Sequence, residues 1–129
     1  MPIELTLLVW STALFALYVG VQSTLYRMQH GIRFAQTARD DEAPPNPINA
    51  RAEKALRNLL ETYPVFVALS VAAAMGAPGD GLVFWGQVAY LVARVAYLPL
   101  YVLGVEMVRS LVWLVSAAGL VMMFIGVVF

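Results

Sequence analysis

A charged segment runs into an apolar one near residue 60, and four polar side chains mark the junction: Lys54, Arg57, Asn58 and Glu61. Their spacing of 0, 3, 4 and 7 residues places them on one face of a helix. Beyond Glu61 the sequence is apolar through Ala77 apart from hydroxyl residues, which is typical of a helix that enters a membrane. Such a face could bind a charged, water-soluble molecule beside the bilayer.

The same face also has a purely structural explanation. Arg57 and Glu61 are four residues apart and could pair along the helix, and Asn58 could bond to a neighbouring helix. An ionisable group costs roughly 2.5 to 3.5 kcal/mol at the bilayer centre and less near the interface, so it persists where another polar group meets it. The residue pattern leaves both interpretations open.

Composition indicates a polytopic membrane protein. Of 129 residues, 61% are hydrophobic and 12% are charged, whereas a soluble domain is about 45 to 50% apolar. At about 20 residues per span, the chain has room for four helices and short connections. The formal net charge of zero predicts no nucleic-acid partner. The absence of cysteine excludes disulfides, thiolate metal sites and a cysteine nucleophile, and no metal site is predicted.

The sequence predicts a single all-α membrane domain over residues 1–129, a four-transmembrane-helix bundle. The expected helices cover about 3–25, 51–75, 82–104 and 109–129, with a polar loop over about 26–50. The first helix lacks a basic n-region and is expected to be a retained span, with Glu4 at the membrane interface. Asn49 is the expected N-cap of the second helix.

The third predicted helix carries a polar stripe formed by Tyr90, Arg94, Tyr97 and Tyr101, spaced 0, 4, 7 and 11 residues apart. A tyrosine stripe of this kind is usually packing, but Arg94 at mid-membrane must face protein or water. Whether Arg94 belongs to a site or only to the structure stays open.

Basic residues surround the first and third connections and are absent from the second. The positive-inside rule therefore predicts that these two connections are cytoplasmic and that both termini lie on the opposite side. This topology brings polar residues from three helices to one depth: Arg57, Asn58, Glu61, Tyr97, Tyr101, Arg109 and Ser110.

Three motif blocks resemble the MAPEG superfamily, the membrane-associated proteins in eicosanoid and glutathione metabolism. The first runs from Arg57 through Asn58 and Glu61 to Tyr-Pro-x-Phe at 63–66. The second is Ala-Arg-Val-Ala-Tyr at 93–97 with Tyr101, and the third is Arg109-Ser110 with Trp113. The chain is most similar to the bacterial members, which implies a bacterial inner-membrane location.

The resemblance implies a homotrimer of four-helix subunits that binds glutathione between neighbouring subunits on the cytoplasmic side. Carried onto this sequence, it implies a glutathione-binding set consisting of Arg27, Lys54, Arg57, Asn58, Glu61, Tyr97 and Tyr101. In the same way it implies that Arg109 stabilises the glutathione thiolate and that Ser110 assists.

Three positions depart from one eicosanoid-producing branch of the family. Tyr97 replaces a histidine, Trp113 replaces a tyrosine, and Lys54 stands where arginine is usual and cannot make the bidentate carboxylate contact of arginine. Prostaglandin synthesis is therefore not implied.

Two classes of function follow. The first is a glutathione-dependent membrane enzyme that conjugates lipophilic electrophiles or reduces lipid hydroperoxides, with a lipophilic small molecule or lipid as its second substrate. The alternative is a non-catalytic membrane lipid-binding or scaffold protein of the same fold. A small transporter is a third interpretation, which the lack of an inverted internal repeat disfavours.

Overall fold

The computed structural model describes residues 1–129 and contains helices and connections but no strands. Its helices are α1 (Ile3–His30), α2 (Ile32–Ala35), α3 (Pro47–Gly76), α4 (Gly81–Val102) and α5 (Met107–Val128). All except α2 are long and apolar enough to cross a membrane. The prediction of an all-α protein with four spans is confirmed.

The first connection is shorter than predicted, because α1 continues past residue 25 to His30. Neither proline nor glycine occurs between residue 25 and His30, and the helix ends at Gly31, whose φ of 89° lies in the left-handed region. The four-residue helix α2 follows at once. The predicted loop over 26–50 therefore shrinks to residues 36–46.

Helix α3 begins at Pro47, before the predicted start at residue 51. Its N-cap is Asn46, so the prediction of Asn49 is wrong. The Asn46 side chain accepts a hydrogen bond from the backbone nitrogen of Asn49 at 2.9 Å. Pro47 suits the first helical position, because a helix makes no use of the N–H that proline lacks there.

Helices α4 and α5 pack closely because glycines face each other. A Cβ atom at Gly119 would lie 2.6 Å from the carbonyl oxygen of Gly86, and one at Gly126 would lie 2.6 Å from a methyl group of Val83. Small residues allow helix backbones to approach where van der Waals packing drives association in lipid. The close approach lies between the first half of α4 and the second half of α5.

The connection between α4 and α5 is also tied to the start of α3. Arg51 Nη1 donates to the carbonyl oxygen of Val102 at 3.3 Å. Gly104, with a φ of 77°, lies against the same guanidinium, and a Cβ there would be 3.1 Å from the Arg51 Cζ. We call this end of the bundle, with the start of α3 and residues 103–106, the cavity end. The opposite end, with the start of α1 and residues 77–80, is the turn end.

Polarity is arranged inside out relative to a soluble protein. Trp10, Trp85 and Val92 are among many large apolar side chains that are mostly exposed, as expected of surfaces that face lipid. The buried set includes these polar residues: Glu4, Ser11, Asn49, Ser70, Gln87, Arg94 and Ser116. Glu4, which is expected at the membrane interface, has a side chain that is fully enclosed by protein.

Candidate functional site

A cavity of about 400 Å³ opens at the cavity end between α3, α4 and α5. Its lining consists of Asn58, Tyr97, Tyr101, Arg109, Ser110, Trp113 and Leu114. Helix α3 contributes the asparagine, α4 the two tyrosines and α5 the remaining four residues. The volume falls in the range of about 300 to 1,000 Å³ that is usual for small-molecule sites.

Arg109 is the cation of this cavity and lies in the first turn of α5. Its guanidinium carbon is 4.4 Å from the centre of the Tyr101 ring. Tyr101 in turn meets Tyr97 edge to face, with ring centres 5.5 Å apart. The cation is therefore placed by an aromatic face, which leaves its N–H groups available for an anion.

Arg94 does not line the cavity but fixes one of its walls. Its side chain is fully buried, and its Nη1 donates to Asn58 Oδ1 at 2.7 Å while its Nη2 donates to Thr62 Oγ1 at 3.1 Å. Because Asn58 Oδ1 accepts this bond, the side chain is held with an amide nitrogen that can donate to a ligand. The interhelical bond of Asn58 considered from sequence is thus present, and Arg94 is a structural neighbour of the cavity.

Two further side chains, Ser110 and Trp113, carry groups that can form hydrogen bonds with a ligand. Ser110 Oγ donates to the carbonyl oxygen of Glu106 at 3.2 Å, so its lone pairs are what it can offer to a ligand. The indole nitrogen of Trp113 is buried and has no hydrogen-bond partner. Indole N–H groups that are buried usually have a partner, so this donor is suited to an acceptor atom of a bound ligand.

Three members of the predicted glutathione-binding set lie outside this cavity. Lys54, Arg57 and Glu61 are exposed on α3, although they share the helix with Asn58. Counted back from Gly76, a span of about 20 residues begins near Arg57. Glu61 is therefore about one helical turn inside the apolar region while its carboxylate faces outward.

Arg27 is also separate from the Arg109 cavity within one chain. It borders a small polar cavity of about 60 Å³ at the end of α1, together with Gln22, Ser23, Tyr26, Ala35 and Arg39. Arg39 covers this cavity with its guanidinium 4.2 Å from the centre of the Tyr26 ring. A single chain thus places Arg27 and Arg109 in two different cavities.

An apolar groove of about 380 Å³ runs along the outer face of α4 and α5. Every residue that lines it is apolar: Trp85, Val88, Ala89, Val92, Ala93, Ala96, Val112 and Val115. Val112 of the groove is followed by Trp113 of the polar cavity. The groove and the polar cavity are thus lined by residues that alternate along α5, on different sides of the helix.

Sequence reasoning did not include Trp113, Leu114 or Thr62 among the site and supporting residues. Trp113 and Leu114 follow Arg109 and Ser110 by one helical turn, so helical spacing could have found them. Thr62 follows Asn58 by four residues and was passed over as a hydroxyl residue inside an apolar run. Its hydrogen bond from Arg94 depends on which side of α3 faces α4, and the structure shows this.

The fold and the cavity define a four-span membrane protein with a cationic, donor-rich site at one end of its bundle. The chain belongs to the MAPEG family, whose family model matches residues 5–129. The predicted family is confirmed. Neither the curated proteins nor the solved structures contain a match to the chain.

Proposed function

We propose that the chain is a glutathione-dependent membrane enzyme that activates the thiol of glutathione for reaction with a lipophilic substrate. One observation carries the proposal: Arg109 shares a cavity of about 400 Å³ with Asn58, Tyr97, Tyr101 and Ser110. A cation and several polar groups are costly in the bilayer, and helix packing does not require them around an open space. Their presence there favours a binding site.

The donor set of the cavity suits an anionic peptide-like molecule. Glutathione carries two carboxylates, an ammonium group and a thiol. The amide nitrogen of Asn58 and the unpaired indole N–H of Trp113 can donate to carboxylate or peptide oxygens. Arg109 adds the positive charge, and Glu61 is the carboxylate that would meet the ammonium group.

Arg109 has the role of stabilising the thiolate. The thiolate is the reactive form of the sulfur, and a cation beside it favours loss of the proton. Each unit by which the cation lowers the pKa of the thiol corresponds to about 1.4 kcal/mol. Tyr97 and Tyr101 fix the cation against an aromatic wall, and Ser110 can accept a hydrogen bond from the ligand.

Two reactions use the same thiolate. In conjugation, a sulfur lone pair forms a carbon–sulfur bond with the electrophile, and the leaving group departs with its bonding electrons. In peroxide reduction, the sulfur attacks one peroxide oxygen, the O–O bond breaks and the alkoxide takes a proton. A second glutathione then reduces the glutathione sulfenic acid, giving the disulfide and water. The apolar groove of α4 and α5 would hold either substrate.

We further propose that the working assembly is a homotrimer whose sites lie between subunits. This assembly accounts for the exposed charges of α3, because Glu61 lies within the apolar span and gains a polar partner if a neighbouring subunit covers it. In the trimer Lys54, Arg57 and Glu61 would join the Arg109 cavity of the adjacent subunit. Arg27 would reach that site in the same way.

The proposed location is the inner membrane of a bacterium, with the cavity end in the cytoplasm and both termini on the other side. The cysteine-free chain permits a direct test. The single-cysteine variants Ser116→Cys, Asp41→Cys and Phe129→Cys would be treated with a membrane-impermeant maleimide in intact cells. We expect labelling at position 129 only, where the side chain is exposed. Labelling at position 41 would mean that the chain has the opposite orientation in the membrane. Ser116 is buried, so position 116 serves as the unlabelled control.

The alternative is a non-catalytic lipid-binding or scaffold protein of the same fold. The observation in its favour is the apolar groove of about 380 Å³, which has no polar lining residue. A scaffold would use this groove and would need no thiolate. The two functions therefore differ in whether the Arg109 cavity ionises glutathione.

The test is a titration of the detergent-purified protein with glutathione, followed by ultraviolet absorbance of the thiolate. We expect a saturable thiolate signal in the wild type and its loss in Arg109→Ala, with rates of turnover lower by about 10²- to 10³-fold. Arg33→Ala, which removes an exposed arginine outside both cavities, is the matched control. A folded protein that binds no glutathione would overturn the enzyme proposal and favour the scaffold.

A further inference from the structure

The turn end of the bundle contains a buried carboxylate that nothing in the proposed reaction uses. Glu4 lies in the first turn of α1 and its side chain has no exposed surface. Its Oε1 accepts a hydrogen bond from the backbone nitrogen of Gly79 at 2.6 Å. Its Oε2 is buried and has no hydrogen-bond partner. An ionisable group inside a membrane protein is a functional-site hypothesis by default, and its partner has to be identified.

A second unpaired oxygen lies on the side chain that contacts Glu4. Gln87 Nε2 donates to the backbone oxygen of Glu4 at 3.0 Å and to Ser70 Oγ at 2.9 Å. Both of its amide protons are thereby used, so the amide cannot donate to the Glu4 carboxylate as well. Gln87 Oε1 is buried and unpaired. Gln87 and Ser70 are as fully enclosed as Glu4.

No cationic side chain of this chain can meet the carboxylate. The segments 1–26, 58–108 and 110–129 contain Arg94 as their only basic residue, and that guanidinium donates to Asn58 and Thr62. The other charged side chain at this end is Asp80, whose Oδ1 caps α4 by accepting from the nitrogens of Leu82 and Val83. No basic side chain therefore balances Glu4 and Asp80, and the positive group of the chain at this end is the α-ammonium of Met1.

We propose that Glu4, Ser70 and Gln87 form a binding site for one monovalent metal cation of the size of Na⁺. Carboxylate, amide and hydroxyl oxygens are the ligands that hard cations prefer. A single carboxylate neutralises a single positive charge, which favours a monovalent ion over Ca²⁺ or Mg²⁺. Glu4 Oε2 and Gln87 Oε1 are the two oxygens free to coordinate, and Ser70 Oγ keeps a second lone pair.

The site would join three parts of the chain. Glu4 brings the start of α1, Ser70 belongs to α3, and Gln87 belongs to α4 next to the turn at Gly79. The bound ion would hold these segments together, because an unpaired carboxylate would otherwise be enclosed at considerable cost. The first turn of α1 and the exposed Gly79 place the site within reach of the aqueous phase.

The experiment measures the thermal midpoint, Tm, of the full-length protein in detergent. NaCl replaces N-methyl-D-glucamine chloride stepwise at constant chloride and constant pH, with KCl as a second series. Since a ligand that binds only the folded state raises stability with the logarithm of its concentration, Tm should rise by about 5 °C across the series. Glu4→Gln should lose this dependence, and Glu106→Gln, an exposed carboxylate at the other end, should keep it.

A second variant keeps the test decisive if Glu4→Gln does not fold. Gln87→Lys places an ammonium group beside the carboxylate, so we expect a raised Tm in sodium-free buffer and no further rise with NaCl. A wild-type Tm that does not respond to Na⁺ or K⁺ would overturn the proposal. Full retention of the response in Gln87→Lys would do the same. Neither result depends on glutathione binding at the opposite end.

Discussion

The two ends of the bundle treat their polar residues in opposite ways. At the cavity end, Lys54, Arg57 and Glu61 are exposed and Arg109 borders an open space. At the turn end, Glu4 and the side chains around it are fully enclosed. Polar groups are costly in both places, yet only the cavity end leaves them accessible. The difference teaches that the cavity end presents its polar groups to an open space, whereas the turn end uses them in contacts between α1, α3 and α4.

The largest effect is expected at Asn58, because this residue lines the cavity and also bonds to the buried Arg94. Asn58→Leu removes the acceptor of Arg94 Nη1 and leaves a buried charged donor unpaired. We expect a loss of about 3 kcal/mol in the free energy of unfolding together with loss of glutathione affinity. Chemical denaturation and a glutathione titration measure the two effects.

The double variant Asn58→Leu with Arg94→Met supplies the control for that prediction. Removing both partners eliminates the unpaired donor, so stability should largely return while glutathione affinity should not. If stability falls equally in both variants, the Arg94–Asn58 bond is not what supports the cavity wall.

A smaller effect, confined to stability, is expected from Gly119→Ala. The added Cβ would lie 2.6 Å from the backbone oxygen of Gly86, and a backbone atom cannot move aside as a flexible side chain can. We expect destabilisation of about 2 kcal/mol, seen as a lower Tm. Glutathione binding per folded molecule should be unchanged if the two ends are separate.

Gly20→Ala is the matched control, because a Cβ atom at Gly20 meets nothing within 4 Å. The substitution lowers the entropy of the unfolded chain and should be neutral or stabilising by about 0.4 to 1 kcal/mol. An equal loss of stability in both variants would contradict the close α4–α5 approach.

The smallest expected effect is a pure change in binding in Glu61→Ala. Its carboxylate is exposed in the single chain, so its loss should leave the fold of each subunit unchanged. Removing the partner of the glutathione ammonium should weaken glutathione affinity by about tenfold, or about 1.4 kcal/mol. Isothermal titration measures this change. Glu53→Ala, a carboxylate on the same helix outside the predicted set, should bind as the wild type does.

Helical periodicity and motif spacing account for much of the cavity end. Asn58, Tyr97, Tyr101, Arg109 and Ser110 were expected at one depth, and they line one cavity. Depth along a helix follows from counting residues, because each adds a fixed rise. Which side of a helix faces a neighbour depends instead on packing, so the bond between Arg94 and Asn58 could be considered but not assigned from sequence.

The turn end shows what sequence could not provide. A glutamate at the second residue of an apolar helix predicts an interfacial position, which is the expectation for Glu4. Its burial depends on Gly79 and Gln87, which follow it by 75 and 83 residues. No local pattern reports a contact of that separation. The end of α1 and the start of α3 also differ from the prediction, because α1 continues up to Gly31 and Asn46 caps α3.

The contacts of Arg94 also bear on how the chain enters the membrane during synthesis. Its guanidinium reaches Asn58 and Thr62, and its backbone oxygen accepts from the hydroxyl of Tyr18. All three partners precede it in the chain. When α4 leaves the ribosome, the groups that offset the roughly 2.5 to 3.5 kcal/mol cost of a mid-membrane arginine are therefore already made. Insertion of α4 need not wait for α5, which can then dock onto an N-terminal three-span unit.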